Sequence, residues 1–305
     1  MANEMTYSDL ADQRVAALIN RELLDLNFDP TALRSRLRFL PHSLNGSMAM
    51  KTPLVQRSYT MAAPGEDTAG SNSAFVDSSV TLTPARRLLQ FYETDIAILS
   101  TPEGGLNPEG FARIMAGAVE LDYTALACTA GATATTNVGG GGSVDCTVDD
   151  LYDGVFALNI ALANGLITGC FRPNSFNELV ASLRGETGAI QYLPNVGAIL
   201  NGIGGSGYKG TLLGVDIMSM DKVIEDTNVN QNFLFVPDAI VYTYGAVGKV
   251  LPYITPSMGV SSDAMSYITS KWDDTKAALT TILNHYPSVA VADQNKLVGI
   301  LSDDV

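Results

Sequence analysis

Charge is what this sequence has least of. Asp, Glu, Lys and Arg make up 16% of its 305 residues, against roughly 25% in an ordinary soluble domain. The few charges lean one way: 32 acidic against 18 basic residues give a formal net charge of −14. An acidic chain repels phosphate, which disfavours direct recognition of DNA or RNA. A wall that encloses DNA without gripping it stays compatible with that field. Histidine is nearly lacking, with only His42 and His285, and neither has a motif around it. No G-x-S-x-G elbow occurs, so a Ser/His/Asp site has no framework. A metal site lacks ligands. The cysteines, Cys128, Cys146 and Cys170, are odd in number and fit no metal spacing. They read as small buried apolar residues in a reducing compartment. No run approaches the roughly 18 consecutive apolar residues of a membrane span. Met1-Ala2-Asn3-Glu4-Met5 lacks the basic start and apolar run of a signal peptide. The expectation is a protein made and kept in the cytoplasm. No internal repeat is seen.

Apolar material is abundant. Hydrophobic residues make up 46%, enough for a substantial core. So little charge would leave much uncharged surface on a monomer, and burying it against copies of the same chain is one solution. Residues 6–25 read as an amphipathic helix on Leu10, Val15, Leu18, Ile19 and Leu23. A second helical piece is expected over Thr31–Phe39, closed by Pro41. Met50–Met61 and Ala74–Thr83 read as strands flanking the small, polar, breaker-rich tip 62–73. Together they form a long hairpin that cannot bury itself and must lie on something.

Asn107-Pro108-Glu109 places a cap, a first-position proline and a first-turn acid at the start of a helix. That helix runs to about Ala130 on Phe111, Ile114, Met115, Ala118, Leu121, Ala125 and Cys128. Gly131–Ser143, with its run of four glycines, reads as a flexible loop. A helix follows from Thr147 to about Asn164, then a strand over Leu166–Phe171 and a helix over Ser175–Leu183. Thr211–Met218 reads as one strand. Phe233–Tyr244 reads as two strand pieces around Pro237-Asp238. Ala277–Leu301 reads as two long strands joined near Pro287 or Asp293. Strands and helices mix without steady alternation, which is an α+β pattern.

One pattern suggests a cofactor. Gly202-Ile203-Gly204-Gly205-Ser206-Gly207 satisfies G-x-G-x-x-G, but a dinucleotide site needs a strand before it and a helix opening on it. Here Tyr208-Lys209-Gly210 and a strand follow, so no helix N-terminus is on hand for a pyrophosphate. A flexible loop is the expectation. Asp149, Asp150 and Asp153 stand at a helix start, where they favour the dipole. Arg86-Arg87 after Pro84 either solvates a face, pairs with carboxylates, or meets an acidic neighbouring subunit. No catalytic, cofactor-binding or metal-binding residue is assigned.

The order of these pieces resembles the major capsid proteins of tailed bacteriophages, the Hong Kong 97-type fold, over nearly the whole chain. Leu88-Leu89-Gln90-Phe91-Tyr92-Glu93-Thr94-Asp95 and the helix 107–130 look like the entry to that family's spine helix. Thr147–Leu162, then Cys170-Phe171-Arg172-Pro173-Asn174 with Leu179 and Leu183-Arg184, look like the helix–strand–helix of its axial domain. Thr211-Leu212-Leu213-Gly214-Val215-Asp216-Ile217 is similar to a family strand in which proline is commoner than Asp216. Leu234-Phe235-Val236-Pro237-Asp238 with Val241-Tyr242 is similar to a segment where glycine usually replaces Pro237. Val289–Val298 resembles the closing hairpin, with Asp293-Gln294-Asn295-Lys296 at its turn.

The resemblance implies an N-terminal arm (1–44) and an extended β-hairpin loop (45–85). It implies a peripheral domain (86–146 and 266–305, including spine helix 107–130) and an axial domain (147–265). It implies a structural protein, not an enzyme. Such a chain assembles through hexamers and pentamers into an icosahedral shell around double-stranded DNA. Its partners are other copies, a portal protein and, in some shells, a cement or decoration protein. Many relatives carry a helical scaffolding extension before the arm; this chain begins almost at the arm, so a separate scaffolding protein is expected. Assembly would take place in the host cytoplasm and the product would be the virion capsid. Lys51, Arg57, Glu66, Asp67, Arg86 and Arg87 are the expected inter-subunit contacts. Some relatives join a hairpin lysine to an asparagine covalently, but no matching asparagine is placed here. The Gly-rich stretches 131–143 and 202–210 are expected to let subunits adapt to differing positions. The same fold implies one alternative, an encapsulin-like bacterial compartment without DNA. A tail-tube or decoration protein is disfavoured by the spine helix and axial pattern.

Overall fold

The computed structural model describes residues 33–41, 50–55, 77–94, 108–140, 144–161, 163, 165–185, 192–194, 208–245, 266–273 and 278–303. Among these are four α-helices: α1 (Leu33–Arg36), α2 (Pro108–Gly131), α3 (Val148–Ile160) and α4 (Pro173–Gly185). At 24 residues, α2 is about 36 Å long. It begins on the expected proline. Met115, Ala116, Val119, Tyr123, Ala127 and Cys128 form its buried face, at the three- and four-residue spacing of an amphipathic helix. Thr147 caps α3 with its hydroxyl, and Asp150 reaches back to the Thr147 amide at 2.8 Å. This capping box satisfies two otherwise orphaned donors.

The largest sheet lies between α2 and the α3–α4 pair. Its strand order is β5 (Thr136–Val138), β16 (Leu297–Asp303), β11 (Val229–Phe235), β6 (Ile167–Phe171), β9 (Val215–Ser219), β8 (Tyr208–Leu212), β7 (Tyr192–Pro194). The two-residue strand β10 (Glu225–Asp226) pairs with β11. Alternation along the strands sorts side chains to two cores. Cys170, Met218, Phe233, Phe235 and Leu297 pack with α2. Phe171, Val215, Ile217, Leu234, Val298 and Ile300 pack with α3 and α4. A sheet covered on both faces reads as a continuous apolar run, as Phe233-Leu234-Phe235-Val236 does. Beneath the start of α4 the second face turns polar. Ser175 and Ser302 share a 2.8 Å hydrogen bond, and the amides of Asn230 and Asn232 donate to Ser175 and Ser302 at 3.1 Å.

A second sheet joins β13 (Ser266–Asp273), β14 (Ala278–His285) and β4 (Arg87–Thr94), three antiparallel eight-residue strands in full register. Leu89, Ile268 and Leu283 lie on one face of it and join the α2 core. A third sheet places β12 (Ile240–Tyr244) between β1 (Arg38–Phe39) and β15 (Pro287–Val291). The hairpin expected from sequence is present as β2 (Met50–Val55) and β3 (Asp77–Leu82), antiparallel with Met50 opposite Leu82 and Val55 opposite Asp77. Its tip and the helix expected at 6–25 lie outside the described residues.

Four expectations need correction. The helical piece at 31–39 stops at Arg36, and Arg38–Phe39 become a strand because β12 offers a free parallel edge. Thr211–Met218 is a hairpin, not one strand. Leu213 (φ 53°) and Gly214 (φ 79°) form a two-residue turn of the kind that suits strand twist. The C-terminal region uses both expected breaks: Tyr286 separates β14 from β15, and a 3-10 turn (Gln294–Lys296) separates β15 from β16. Gly131–Ser143 is not loop throughout. Gly131 closes α2, and Thr136–Val138 add a parallel strand to β16. β16 also pairs with β11 on its other side.

Candidate functional site

For a chain expected to build shells, the residues of interest are those that fix where extended segments leave the body. The first set lies in Leu33-Arg34-Ser35-Arg36-Leu37-Arg38-Phe39, which spends three of the chain's 18 basic residues within five positions. Leu33 and Leu37 drop into the α2 core. Each arginine finds a carboxylate on a different element. Arg34 is 1% exposed; its Nε lies 3.1 Å from Glu120 Oε2 on α2, and its guanidinium sits 5.3 Å over the Tyr123 ring. An Arg over an aromatic face gains cation–π attraction when desolvated. Arg36 reaches Asp216 on β9 at 2.9 Å. Arg38 reaches Asp238, in the turn before β12, at 3.1 Å, and Lys296 approaches the same carboxylate at 3.7 Å. Phe39 stacks on Tyr244 at 5.2 Å, the Leu40 amide donates to Tyr242 O, and Thr243 donates to Leu40 O.

The hairpin base is fixed beside it. Val80 and Leu82 of β3 are buried against Val241 of β12, with Ala290 and Ala292 around them. Directly after β3, the two arginines singled out in sequence stay exposed yet bond to groups of their own subunit. Arg86 donates from Nε and NH2 to Asn284 Oδ1 at 2.9 and 2.6 Å. Arg87 donates to Asp122 Oδ1 on α2 at 2.7 Å, and His285 Nε2 lies 2.9 Å from the other oxygen of that carboxylate. Tyr123 makes edge contacts with His285 and Tyr242 at 6.0 and 5.7 Å. The 33–39 segment and the β4–β14 pair therefore converge on one stretch of α2, Glu120–Tyr123, while β3 packs beside them on Val241.

The electrostatics of this junction are those of a structural joint. Burial pushes the phenols of Tyr123 and Tyr242 upward. Tyr267 is pushed up to about 12 by burial, then by its hydrogen bond with Tyr286. Burial also raises the three thiols, with Cys128 pushed up to about 12. These groups are held neutral, which suits packing and opposes nucleophilic chemistry near neutral pH. Among the described residues no group of three His, Cys, Asp or Glu is placed to hold a metal ion. None of the described helices is long and apolar enough to cross a membrane.

The expected contact residues fall in three places. Lys51 lies on β2 opposite Thr81. Arg57, Glu66 and Asp67 lie outside the described residues, as do His42 and Gly202–Gly207. Arg86 and Arg87 engage partners within their own subunit. The triplet Arg34, Arg36 and Arg38 was missed in sequence, although three cations at alternate positions in so acidic a chain are a usable signal.

No family model and no curated protein matches the sequence. Solved structures do match. The capsid of Ralstonia phage GP4 superposes with a TM-score of 0.63 at 9% identity, covering 87% of both chains. A Mycobacterium phage Che8 structure gives 0.56 at 17% identity, covering 83% of this chain and 84% of that one. An encapsulin from Synechococcus elongatus gives 0.53 at 15% identity, covering 90% and 88%. At such identities the likeness establishes the fold: this is an α+β chain with the fold of phage capsid subunits.

Proposed function

We propose that this chain is the major capsid protein of a tailed bacteriophage, a structural and not a catalytic subunit. It tiles an icosahedral shell through hexamers and pentamers and encloses double-stranded DNA. The observation that carries the reading is the likeness to phage capsid subunits over most of both chains. Two features support it. Leu33–Phe39 is held on α2 and β12, and β3 of the hairpin is held on β12 beside Ala290 and Ala292, which gives both a firm base. The charge of −14 suits a wall that contains DNA without adhering to it. In this reading the division into arm (1–44), extended loop (45–85), peripheral (86–146, 266–305) and axial (147–265) parts describes how one subunit meets its neighbours. Lys51, Arg57, Glu66, Asp67, Arg86 and Arg87 act at those contacts. A separate scaffolding protein directs assembly, a portal protein occupies one vertex, and a cement or decoration protein is an optional further partner. Assembly takes place in the host cytoplasm, and the mature site is the virion.

The encapsulin likeness supports a second reading, a bacterial compartment shell. One experiment tests both. The full chain is expressed alone and with a candidate scaffolding protein, and the products are imaged by negative-stain electron microscopy and assayed for nucleic acid and cargo protein. Shells of regular size that depend on scaffolding and take up DNA support the phage reading. Shells formed by the chain alone and filled with a cargo enzyme support the compartment. A stable monomer under all conditions refutes both.

A further inference from the structure

Helix α3 has an outward face of the wrong composition. Its inner face, Val148, Leu151, Gly154 and Leu158, is buried on the large sheet. The opposite face of such a helix should be polar. Instead Tyr152, Phe156 and Ile160 stand on three successive turns, 48%, 64% and 66% exposed. Leu166, half exposed, follows at the same end of the helix. Side chains at i, i+4 and i+8 form one stripe. Three of this size at these exposures present roughly 350 Å² of mostly apolar surface, at the level where a patch on a soluble chain marks a contact site.

We infer that the Tyr152–Phe156–Ile160 stripe is a subunit–subunit contact whose occupant is a second copy of this chain. The inference rests on the shell reading above. Two observations favour a second copy. A stable interface takes about 800 Å² per partner with an aromatic, charge-poor centre and a polar rim. The stripe supplies a centre of suitable size, and exposed Asp145, Asp149 and Asp153 supply the rim. The contact is heterologous, pairing unlike patches as closed rings require, so this acidic rim need not meet itself. The chain offers exposed cations elsewhere to face it, Lys271 on β13 and Lys222 after β9, the latter also 3.3 Å from its own Asp221.

Two variants of the full chain test this in assembled particles. The first is Phe156→p-benzoylphenylalanine, irradiated before and after assembly. A cross-linked product of twice the chain mass, formed only in particles, is expected. No product, or a product joined only to another virion protein, overturns the choice of occupant. The second is Ile160→Cys. Cys128, Cys146 and Cys170 are all buried, so maleimide should report on position 160. Labelling should slow at least tenfold in particles relative to dissociated subunits, and equal labelling overturns the inference. Absence of particles from the unmodified chain, both alone and with its scaffolding protein, refutes the shell reading itself, which separates the two failures.

Discussion

Replacing Arg34 by alanine should cost far more than the same change at Arg38, although both arginines lie 3.1 Å from a carboxylate oxygen. The difference lies in solvent. The Arg34 side chain is 1% exposed and its partner Glu120 15%, whereas Arg38 and Asp238 are 55% and 38% exposed. Removing Arg34 strands the Glu120 carboxylate in a desolvated setting and strips the cation from the Tyr123 ring. Breaking one half of a buried pair costs about 3–5 kcal/mol. An exposed pair contributes only about 0–1 kcal/mol. At roughly 2–3 °C per kcal/mol for a chain of this size, Arg34→Ala should lower Tm by about 6–15 °C and Arg38→Ala by less than about 3 °C. The assay is thermal unfolding followed by circular dichroism, with urea midpoints compared at constant slope as a second reading. The double variant Arg34→Met with Glu120→Leu closes a cycle. Replacing both charges by apolar groups of similar bulk removes the stranded carboxylate, so most of the loss should be recovered. Equal costs at positions 34 and 38, or a double variant no more stable than Arg34→Ala, would refute this account of the arm root.

Gly139 has φ +92°, and a Cβ there would meet the Leu301 carbonyl oxygen. Gly139→Ala should therefore cost about 2–3 kcal/mol; a shift of the urea midpoint worth less than about 0.5 kcal/mol would count against it. Leu82 is fully buried at the hairpin base. Leu82→Ala should cost about 3 kcal/mol and act locally, so amides of 77–82 should exchange faster while those of α2 stay protected. Arg86→Ala leaves the buried Asn284 oxygen without its two donors and should lower stability by about 1–3 kcal/mol. A variant of unchanged stability that fails only in assembly would return Arg86 to a neighbour. The three cysteines should resist a disulfide reagent at pH 8 and react on unfolding. Because Cys128 rises from 9.0 to about 12 on folding, the native state keeps a proton that the unfolded state loses. Stability should be flat below about pH 8 and fall as pH climbs from about 9 to 12, by up to ~1.4 kcal/mol per unit for each such thiol. Unfolding midpoints that rise across that range would overturn the sign.

Sequence alone determined whatever rests on local chemistry. Pro108 after Asn107 starts α2, and its apolar spacing runs to Gly131. Thr147 and Asp150 close a capping box whose parts lie three residues apart. The hairpin strands, the break at Pro237-Asp238 and the α+β class follow from composition and period, and the capsid resemblance follows from their order. The tertiary structure decided everything that depends on a distant partner. Arg38–Phe39 is a strand only because β12, two hundred residues on, has an open edge. Thr136-Asn137-Val138 is a strand only because β16 lies beside it. Leu213-Gly214 turns because β8 and β9 pair, and no Asn-Gly signature announces it. Arg86 and Arg87 bond within their own subunit because Asn284 and Asp122 come within reach when β4 pairs with β14 along α2. The outward stripe on α3 shows the same limit: Tyr152, Phe156 and Ile160 have the spacing of a core face. Only the sheet, which takes the opposite side of the helix, leaves them facing solvent.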